Sequence, residues 1–247
     1  MDRWKFYSVT RKYHAIDNPL REAKLDQVIE ALHLAPDALV LDIACGDAEM
    51  LCRIAERYQA RCTGVEISPF RTAAAGDKIA ARGLQGRVIV HSIPGKEFTA
   101  PDASFDAVSC FGATWIWNGL RGTLEALARW TRTGGIVAVG EPHWLTKPPA
   151  EYLKEEGWTR DLFSSHAGNI ATGESLGLVP LFSVASNTDD FDRYEGLTWL
   201  AAADYARDNP DDPDVPEVLA DIARARRLYL TWGRDTLSWA VYLFRKP

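Results

Sequence analysis

The sequence predicts an α/β fold with a mainly parallel sheet, and three observations support this prediction. Short apolar, β-favouring runs alternate with helical stretches from about residue 39 to residue 140. One of these runs passes through a glycine turn directly into a helix. The chain has 247 residues, 47% of them apolar, which is enough for one sizeable core. Strand–helix alternation of this kind implies parallel strands joined by right-handed crossovers.

The predicted elements follow one another in order. A helix over about 20–33 carries its apolar residues on one face and ends before Pro36. Strands are predicted at 39–43, 62–67, 87–92, 105–111 and 136–140, with a weaker one near 179–185, and helices at 50–58, 69–82, 120–130 and 168–176. Residues 1–19 contain several aromatic side chains but no clear strand.

The end of the chain departs from this alternation. Residues 192–208 and 215–231 have helical patterns, and the breaker sequence NPDDP at 209–213 separates them. The last apolar run, 237–244, is strongly strand-like. Residues 187–235 are therefore predicted to form a helical segment between the sixth and seventh strands.

Composition excludes several classes of protein. The net charge of −6 and the pI near 5.4 argue against nucleic-acid binding, which needs a basic face. The four cysteines lie within predicted strands or a helix and lack metal-ligand spacing, so we expect reduced thiols, a cytoplasmic location and no bound metal. No signal peptide and no apolar run of about 18–20 residues is present, so we expect no membrane association. The composition does not indicate an oligomeric state.

The most informative stretch is LVLDIACGDAEM at 39–50. A buried strand, a turn at Gly46 and a helix start leave backbone N–H groups and the positive helix end facing a ligand. Glu66 ends the next predicted strand, at about the separation from Gly46 that places a carboxylate on ribose hydroxyls in nucleotide-binding βαβ units. The plainer alternative is an ordinary strand–turn–helix in which Asp42 is only a turn residue.

The residues of this turn also bear on which nucleoside it binds. The dinucleotide fingerprint G-x-G-x-x-G is absent, because Ala44 and Ala48 stand where it needs glycines. Asp42 and Asp47 would repel a pyrophosphate. A ligand with a ribose and a cationic amino-acid tail fits better, with Asp42 holding the ammonium group and Glu66 the ribose diol.

The sequence LDIACGDAE resembles the first motif of the class I S-adenosylmethionine (SAM)-dependent methyltransferases, a hydrophobic strand ending in D-x-(G/A)-C/S-G. The segments GATWI at 112–116, GEPHW at 140–144 and NPDD at 209–212 are similar to a bacterial subgroup of methyltransferase-like proteins of unassigned substrate. The resemblance implies SAM as the cofactor. It also implies a Rossmann-like, seven-stranded, mostly parallel sheet with helices on both faces. The seventh strand would lie antiparallel between the fifth and sixth, and residues 187–235 would be a helical insertion.

Ligands of open α/β sheets bind outside the carboxyl ends of the strands. That rule and the resemblance together indicate a set of cofactor-binding residues at the first four strand ends: Asp42, Ala44, Cys45, Gly46, Glu66, Ile67, Ser92, Ile93 and Phe111. Many relatives have an acid after the third strand that binds the adenine amino group, whereas this chain has Ser92-Ile93-Pro94 there. We therefore expect adenine to rely on backbone groups, Ser92 and apolar packing.

Four residues are candidates for the catalytic step. His143, after the fifth strand, is the leading candidate base because imidazole accepts a proton near neutral pH; the alternative is a hydrogen-bonded loop histidine. Glu141 is expected to position His143 or a cationic acceptor. His14 is a further candidate if the N-terminal segment folds over the site. Tyr194 would reach the pocket from the insertion, or would simply begin a helix.

Trp115, Trp117 and Trp144 follow two predicted strand ends and predict an aromatic-walled pocket for a flat, apolar or cationic acceptor. Core filling is the alternative for each of them.

We therefore expect one methyltransferase domain over residues 1–247 that uses SAM and acts on a small molecule. Residues 1–19 and 187–235 are expected to roof its pocket, because both have apolar faces to bury. Two alternatives stay open at this point. One is a non-catalytic SAM-binding regulatory module. The other, which the missing glycines disfavour, is a nucleotide-dependent oxidoreductase.

Overall fold

One seven-stranded sheet runs through the chain in this computed structural model, which describes residues 1–247. Its strands in chain order are β1 (Leu39–Ile43), β2 (Arg61–Glu66), β3 (Val88–Ser92), β4 (Phe105–Phe111), β5 (Thr131–Trp144), β6 (Val179–Ala185) and β7 (Leu237–Arg245). In space they are ordered β3-β2-β1-β4-β5-β7-β6. The first five are parallel, and β7 pairs antiparallel with both β5 and β6, so the predicted seven-stranded fold is confirmed.

Nine helices surround the sheet: α1 (Arg3–Thr10), α2 (Glu22–Ala31), α3 (Glu49–Tyr58), α4 (Pro69–Ala81), α5 (Leu120–Trp130), α6 (Ala150–Glu156), α7 (His166–Ser175), α8 (Thr188–Asp208) and α9 (Val215–Leu228). Side chains alternate across each strand, so the sheet has two apolar faces. Val40 of β1 faces the core that includes α2 and α3, whereas Leu41 faces the core that includes α5. Helices on both faces follow from this alternation.

The strand β7 completes the sheet because it is almost wholly apolar. Eight of its nine residues are buried or half-buried, and it lies between β5 and β6, where both of its edges are paired. Val139 of β5 stands opposite Tyr242, and Val184 of β6 opposite Val241.

Three elements differ from the sequence-based expectation. The helix α1 was not predicted; Asp2 caps it by accepting from the Trp4 and Lys5 N–H groups, each at 3.0 Å. The short helix α6 was not predicted either. The strand β5 runs on to Trp144 rather than ending at Gly140, because β7 continues to pair with it beyond the end of β4.

The insertion between β6 and β7 is helical, as predicted. The helix α8 begins at Thr188, earlier than residue 192, because Asn187 and Asp190 form a capping box in which each side chain accepts from the other's backbone N–H. After α9 the chain continues through a wider helical turn, Tyr229–Gly233, and a last turn, Arg234–Thr236. No helix in the structure combines the length and the apolar character that crossing a bilayer requires.

Candidate active site

The turn between β1 and α3 has a constrained backbone. Ala44, Gly46 and Ala48 all have positive φ angles, of 61°, 57° and 63°. Glycine adopts this conformation freely, whereas it costs an alanine about 1–2 kcal/mol. The Ala44 and Cys45 N–H groups donate to the Val65 carbonyl at 2.8 and 3.1 Å, which ties the turn to β2. The turn is therefore a fixed surface at the carboxyl edge of the sheet.

Glu66 ends β2 beside this turn, and two backbone groups hold its buried carboxylate. Its Oε2 accepts from the Gly46 N–H at 3.0 Å, and its Oε1 accepts from the Ser68 N–H at 2.8 Å. Each oxygen keeps further acceptor capacity. The carboxylate is thus oriented to accept hydrogen bonds from a ligand diol.

Asp42, the fourth residue of β1, is buried and forms no ion pair within the protein. Burial raises the pKa of Asp42 to about 7, although the Ser109 hydroxyl donates a hydrogen bond to its Oδ1 at 2.7 Å. The nearby Glu66 carboxylate acts in the same direction as burial. A cationic ligand group beside Asp42 would favour the ionised form.

These groups line a cavity of about 370 Å³, which we call the β1 cavity. Seven of the nine residues predicted for cofactor binding line it: Asp42, Ala44, Cys45, Gly46, Glu66, Ile67 and Phe111. Ser92 and Ile93 do not line it. Ser92 is exposed at the end of β3, with its hydroxyl 3.4 Å from the Thr72 hydroxyl, and Ile93 packs against the core on the α5 side.

The N-terminal segment supplies much of the remaining lining of the β1 cavity, through Arg3, Trp4, Tyr7, Arg11, Ala15, Ile16, Asp17 and Asn18. Asp17 forms an ion pair at 2.8 Å with Arg71 of α4, which also lines the cavity. Sequence reasoning missed this pair because no local pattern connects residues so far apart in the chain. The aromatic side chains of the segment are its one signal in the sequence.

A second cavity, of about 770 Å³, lies beside the first, and we call it the β5 cleft. Glu141 and Pro142 of β5, Trp239 of β7 and Phe163 are among its lining residues. The two cavities have five lining residues in common: Asp17, Asn18, Gly112, Trp115 and Tyr194. Ligands in the two cavities would therefore be neighbours.

Glu141 is buried in the β5 cleft with only one hydrogen-bond partner. The Thr114 hydroxyl donates to its Oε2 at 2.7 Å, and no lysine, arginine or histidine pairs with the carboxyl. Burial raises the pKa of Glu141 to about 7, against the opposing effect of the Thr114 hydrogen bond. This carboxyl can accept a proton near neutral pH.

Tyr194 of α8 lines both cavities. Its hydroxyl lies 3.4 Å from the Asp17 carbonyl, and the Arg11 guanidinium lies over its ring at 4.4 Å. Burial raises the pKa of Tyr194 to about 12, even though Arg11 acts in the opposite direction. The phenol therefore keeps its proton at neutral pH and acts as a hydrogen-bond donor.

The structure does not bring His14 to either cavity. It is buried behind Tyr194, with its Nε2 2.9 Å from the Tyr194 carbonyl and its ring edge-on to the tyrosine ring. Burial, reinforced by Arg11, lowers the pKa of His14 to about 4. His14 is thus a neutral support for Tyr194.

The structure also keeps His143 away from both cavities. Because β5 continues to Trp144, His143 lies on a paired strand, where its ring packs edge-on against His166 of α7 at 5.1 Å. Burial, with a contribution from His166, lowers the pKa of His143 to about 4. Glu141, and not His143, is the side chain of β5 that lines the cleft and can accept a proton there.

Of the three tryptophans predicted to line an acceptor pocket, only Trp115 lines the cavities. Trp117 packs edge-on against Trp130, with ring centroids 6.2 Å apart. Trp144 donates its indole N–H to the Arg160 carbonyl at 2.9 Å and packs against Phe163, which does line the β5 cleft. Trp144 therefore acts on the cleft indirectly, by holding the segment that contains Phe163.

The two acceptor carboxylates of the β1 cavity, Glu66 and Asp42, fit SAM. The Glu66 carboxylate suits the ribose diol, and Asp42 suits the ammonium group of the amino-acid tail. Ile67 and Phe111 add apolar surface beside them. The same acids fit poorly with the pyrophosphate of a dinucleotide, because like charges repel.

Comparisons with known proteins are consistent with a SAM-binding site at this position. A family profile described as a methyltransferase domain matches residues 40–135. The chain is 31% identical to a SAM-dependent methyltransferase from Geobacter sulfurreducens solved with S-adenosyl-L-homocysteine (SAH), over 98% of each chain and with a TM-score of 0.92. It is 30% identical to another from Thiobacillus denitrificans, also solved with SAH, over 100% of each chain and with a TM-score of 0.92. The uncharacterised protein YjhP of Escherichia coli K12 is 31% identical over 98% of each chain.

These likenesses extend over nearly the whole chain and include the elements that form the β1 cavity. They favour a methyltransferase over the nucleotide-dependent oxidoreductase that the sequence left open. They are also consistent with Glu66 and Asp42, the two acids that suit SAM. The protein is therefore an enzyme that belongs to the class I SAM-dependent methyltransferases, with SAM as its cofactor.

Proposed function

We propose that this methyltransferase acts on a small organic molecule that binds in the β5 cleft. The observation that carries the proposal is that the cleft adjoins the β1 cavity through five shared lining residues. Its volume of about 770 Å³ also lies within the range of small-molecule sites, roughly 300–1,000 Å³. A molecule in the cleft lies next to the cofactor's cavity, as direct methyl transfer requires.

We assign the cofactor's ribose to Glu66 and its amino-acid tail to Asp42 and the β1–α3 turn. When bound, SAM supplies an electrophilic methyl group on a sulfonium sulfur. The contribution of the protein is then mainly orientation, which can be worth roughly 7–11 kcal/mol for well-aligned reactants. In the cleft, Tyr194 offers a hydrogen-bond donor and Glu141 a proton acceptor, so these two take the catalytic roles in this proposal.

We further propose that residues 1–19 and 187–235 together roof both cavities. Support comes from the packing of α1 on the insertion. The Lys5 ammonium pairs with Asp214 at 2.6 Å, and the Tyr13 hydroxyl donates to Asp204 at 2.7 Å. Met1 and Phe6 pack against an apolar cluster of α8 and α9. A roof of this kind excludes water and selects the acceptor.

Transfer of a radiolabelled methyl group from SAM tests the proposal. The purified enzyme is incubated with labelled SAM and a panel of small amines, phenols and thiols, and in parallel with total RNA and with a protein mixture. We expect label in one or more small molecules. Label only in RNA or protein would contradict a small-molecule acceptor.

Two phenylalanine variants show whether the β5 cleft is the acceptor site. Phe163→Ala removes a ring from the cleft and should raise the KM for the acceptor about tenfold or more, because a buried aromatic contact is lost. Phe182→Ala, on the exposed edge strand β6, is the matched control and should leave the KM unchanged. Equal effects of the two variants on the KM would show that the acceptor does not bind in the β5 cleft.

A further inference from the structure

We propose that the acceptor is an amine, which binds as its ammonium form to Glu141 between the aromatic side chains of the β5 cleft. The inference rests on the proposed function of that cleft and names its substrate class.

The charges in the β5 cleft are of one sign. Its charged lining residues are Asp17, Glu141 and Asp161, and no lysine, arginine or histidine lines it. Asp17 is paired with Arg71, and Asp161 is exposed. Glu141 is only 4% exposed and has no cationic partner within the protein. Because a buried carboxylate without a counter-charge is costly, the missing counter-charge points to a cationic ligand.

Aromatic rings supply the rest of the recognition. Trp115, Phe163, Phe191, Tyr194 and Trp239 all line the cleft. Arg3 and Arg11 already lie over the rings of Trp115 and Tyr194, so Phe163, Phe191 and Trp239 are the rings that no cation of the protein covers. The faces of such rings carry negative potential and attract ammonium groups, most strongly where water is excluded. A carboxylate or phosphate acceptor would instead meet the unpaired Glu141 carboxylate in a cleft whose lining contains no cationic side chain. Rings and an unpaired carboxylate together therefore select an ammonium group.

The arrangement also provides the proton transfer that N-methylation needs. An ammonium ion has no lone pair, so one proton must leave the nitrogen before attack, and the ionised Glu141 carboxylate accepts it. In the ligand-free protein burial raises the pKa of Glu141 to about 7, and transfer from water into the cleft disfavours the charged form of an amine, so burial moves the two pKa values toward each other.

The amine nitrogen then forms a bond to the methyl carbon. The carbon–sulfur bond breaks as this bond forms, and its electron pair stays on sulfur. The methylated amine leaves as an ammonium ion, SAH is the second product, and Glu141 releases its proton to solvent. Atoms, electrons and charge balance over the cycle.

Binding to the SAH-loaded protein tests the inference with three probes of similar shape. Calorimetry compares 2-phenylethylamine, 2-phenylethanol and 3-phenylpropanoate, which are cationic, neutral and anionic at pH 7.5. We expect the amine to bind at least tenfold more tightly than the alcohol, and the carboxylate to bind least. In Glu141→Gln the preference for the amine over the alcohol should fall to about twofold or less. Glu156→Gln, a half-buried glutamate outside the cleft, should keep it.

The results separate this inference from the proposed function. If the wild-type protein binds SAH but prefers the alcohol or the carboxylate, the inference fails while the proposed function stands. The inference also fails if Glu141→Gln keeps the full preference for the amine. If SAH itself does not bind to the wild-type protein, the proposed function fails first. Label transfer from SAM to the nitrogen of the amine would support both.

Discussion

Replacing Glu141 by glutamine should change how the stability of the protein depends on pH. In the folded protein burial raises the pKa of Glu141 to about 7, whereas in the unfolded chain the side chain ionises near 4.5. Below pH 4.5 the carboxyl is protonated in both states. Between pH 4.5 and about 7 the unfolded chain ionises while the folded protein keeps its proton, so stability is lost across this range and the loss levels off above it. Glutamine does not titrate and avoids this loss.

The size of the effect follows from the two pKa values. They differ by about 2.5, and each pKa unit corresponds to 1.36 kcal/mol, so the full effect is about 3 kcal/mol. The group is only 4% exposed, so solvent screening reduces this figure little. The free energy of unfolding of Glu141→Gln, minus that of the wild type, should therefore rise by up to about 3 kcal/mol between pH 4.5 and pH 8.

Urea unfolding at a series of pH values measures this difference. Wild type, Glu141→Gln and the control Glu125→Gln, on the exposed face of α5, are compared without ligand. Only Glu141→Gln should gain stability relative to wild type as the pH rises. A difference that stays constant from pH 4.5 to pH 8 would refute the argument that Glu141 is a buried carboxyl without a counter-charge.

Three further predictions concern the β1 cavity and the N-terminal segment. Glu66→Gln should weaken SAH binding about ten- to a hundredfold in calorimetry, because charge-assisted hydrogen bonds to the ribose are lost. Glu56→Gln, at an exposed position, is the control, and equal SAH affinities of the two variants would show that Glu66 does not contact the ribose. The SAH affinity of the wild type should rise with pH up to about 7 as Asp42 ionises. Asp42→Asn should bind SAH more weakly and with a smaller pH dependence. If the pH dependence of the affinity is the same in both proteins, Asp42 does not contact the ligand. Deleting residues 1–18 should abolish turnover and weaken SAH binding, because this segment lines both cavities. Circular dichroism should show that the sheet still unfolds cooperatively. Full activity after the deletion would show that the segment does not roof the cavities.

The sequence predicts the sheet and the turn after β1 well, because both follow from local patterns. Sequence spacing alone predicts that Gly46 and Glu66 lie together at the carboxyl end of β1, because both are close in the chain to the run LVLDI. The last apolar run could be placed between β5 and β6 only through the resemblance to the methyltransferase family. Its own composition indicates a strand but no neighbour.

The parts that sequence reasoning misplaced depend on tertiary pairing. The helix α1 has only eight residues and depends on its contacts with α8 and α9, so its local sequence gives a weak signal. The end of β5 is set by its partner β7, and this is why His143 lies on a paired strand instead of a loop. Trp115 and Trp117 are two residues apart, yet one lines the cavities and the other packs against Trp130.

A crystal structure of this protein with SAH bound is the most direct test of the central claim that the two adjoining cavities hold the cofactor and the acceptor. We expect SAH in the β1 cavity, with its ribose hydroxyls within hydrogen-bond distance of the Glu66 carboxylate. Its ammonium group should lie beside Asp42, and its sulfur should face the β5 cleft. SAH with its sulfur turned away from the cleft, or with its ribose far from Glu66, would contradict the account.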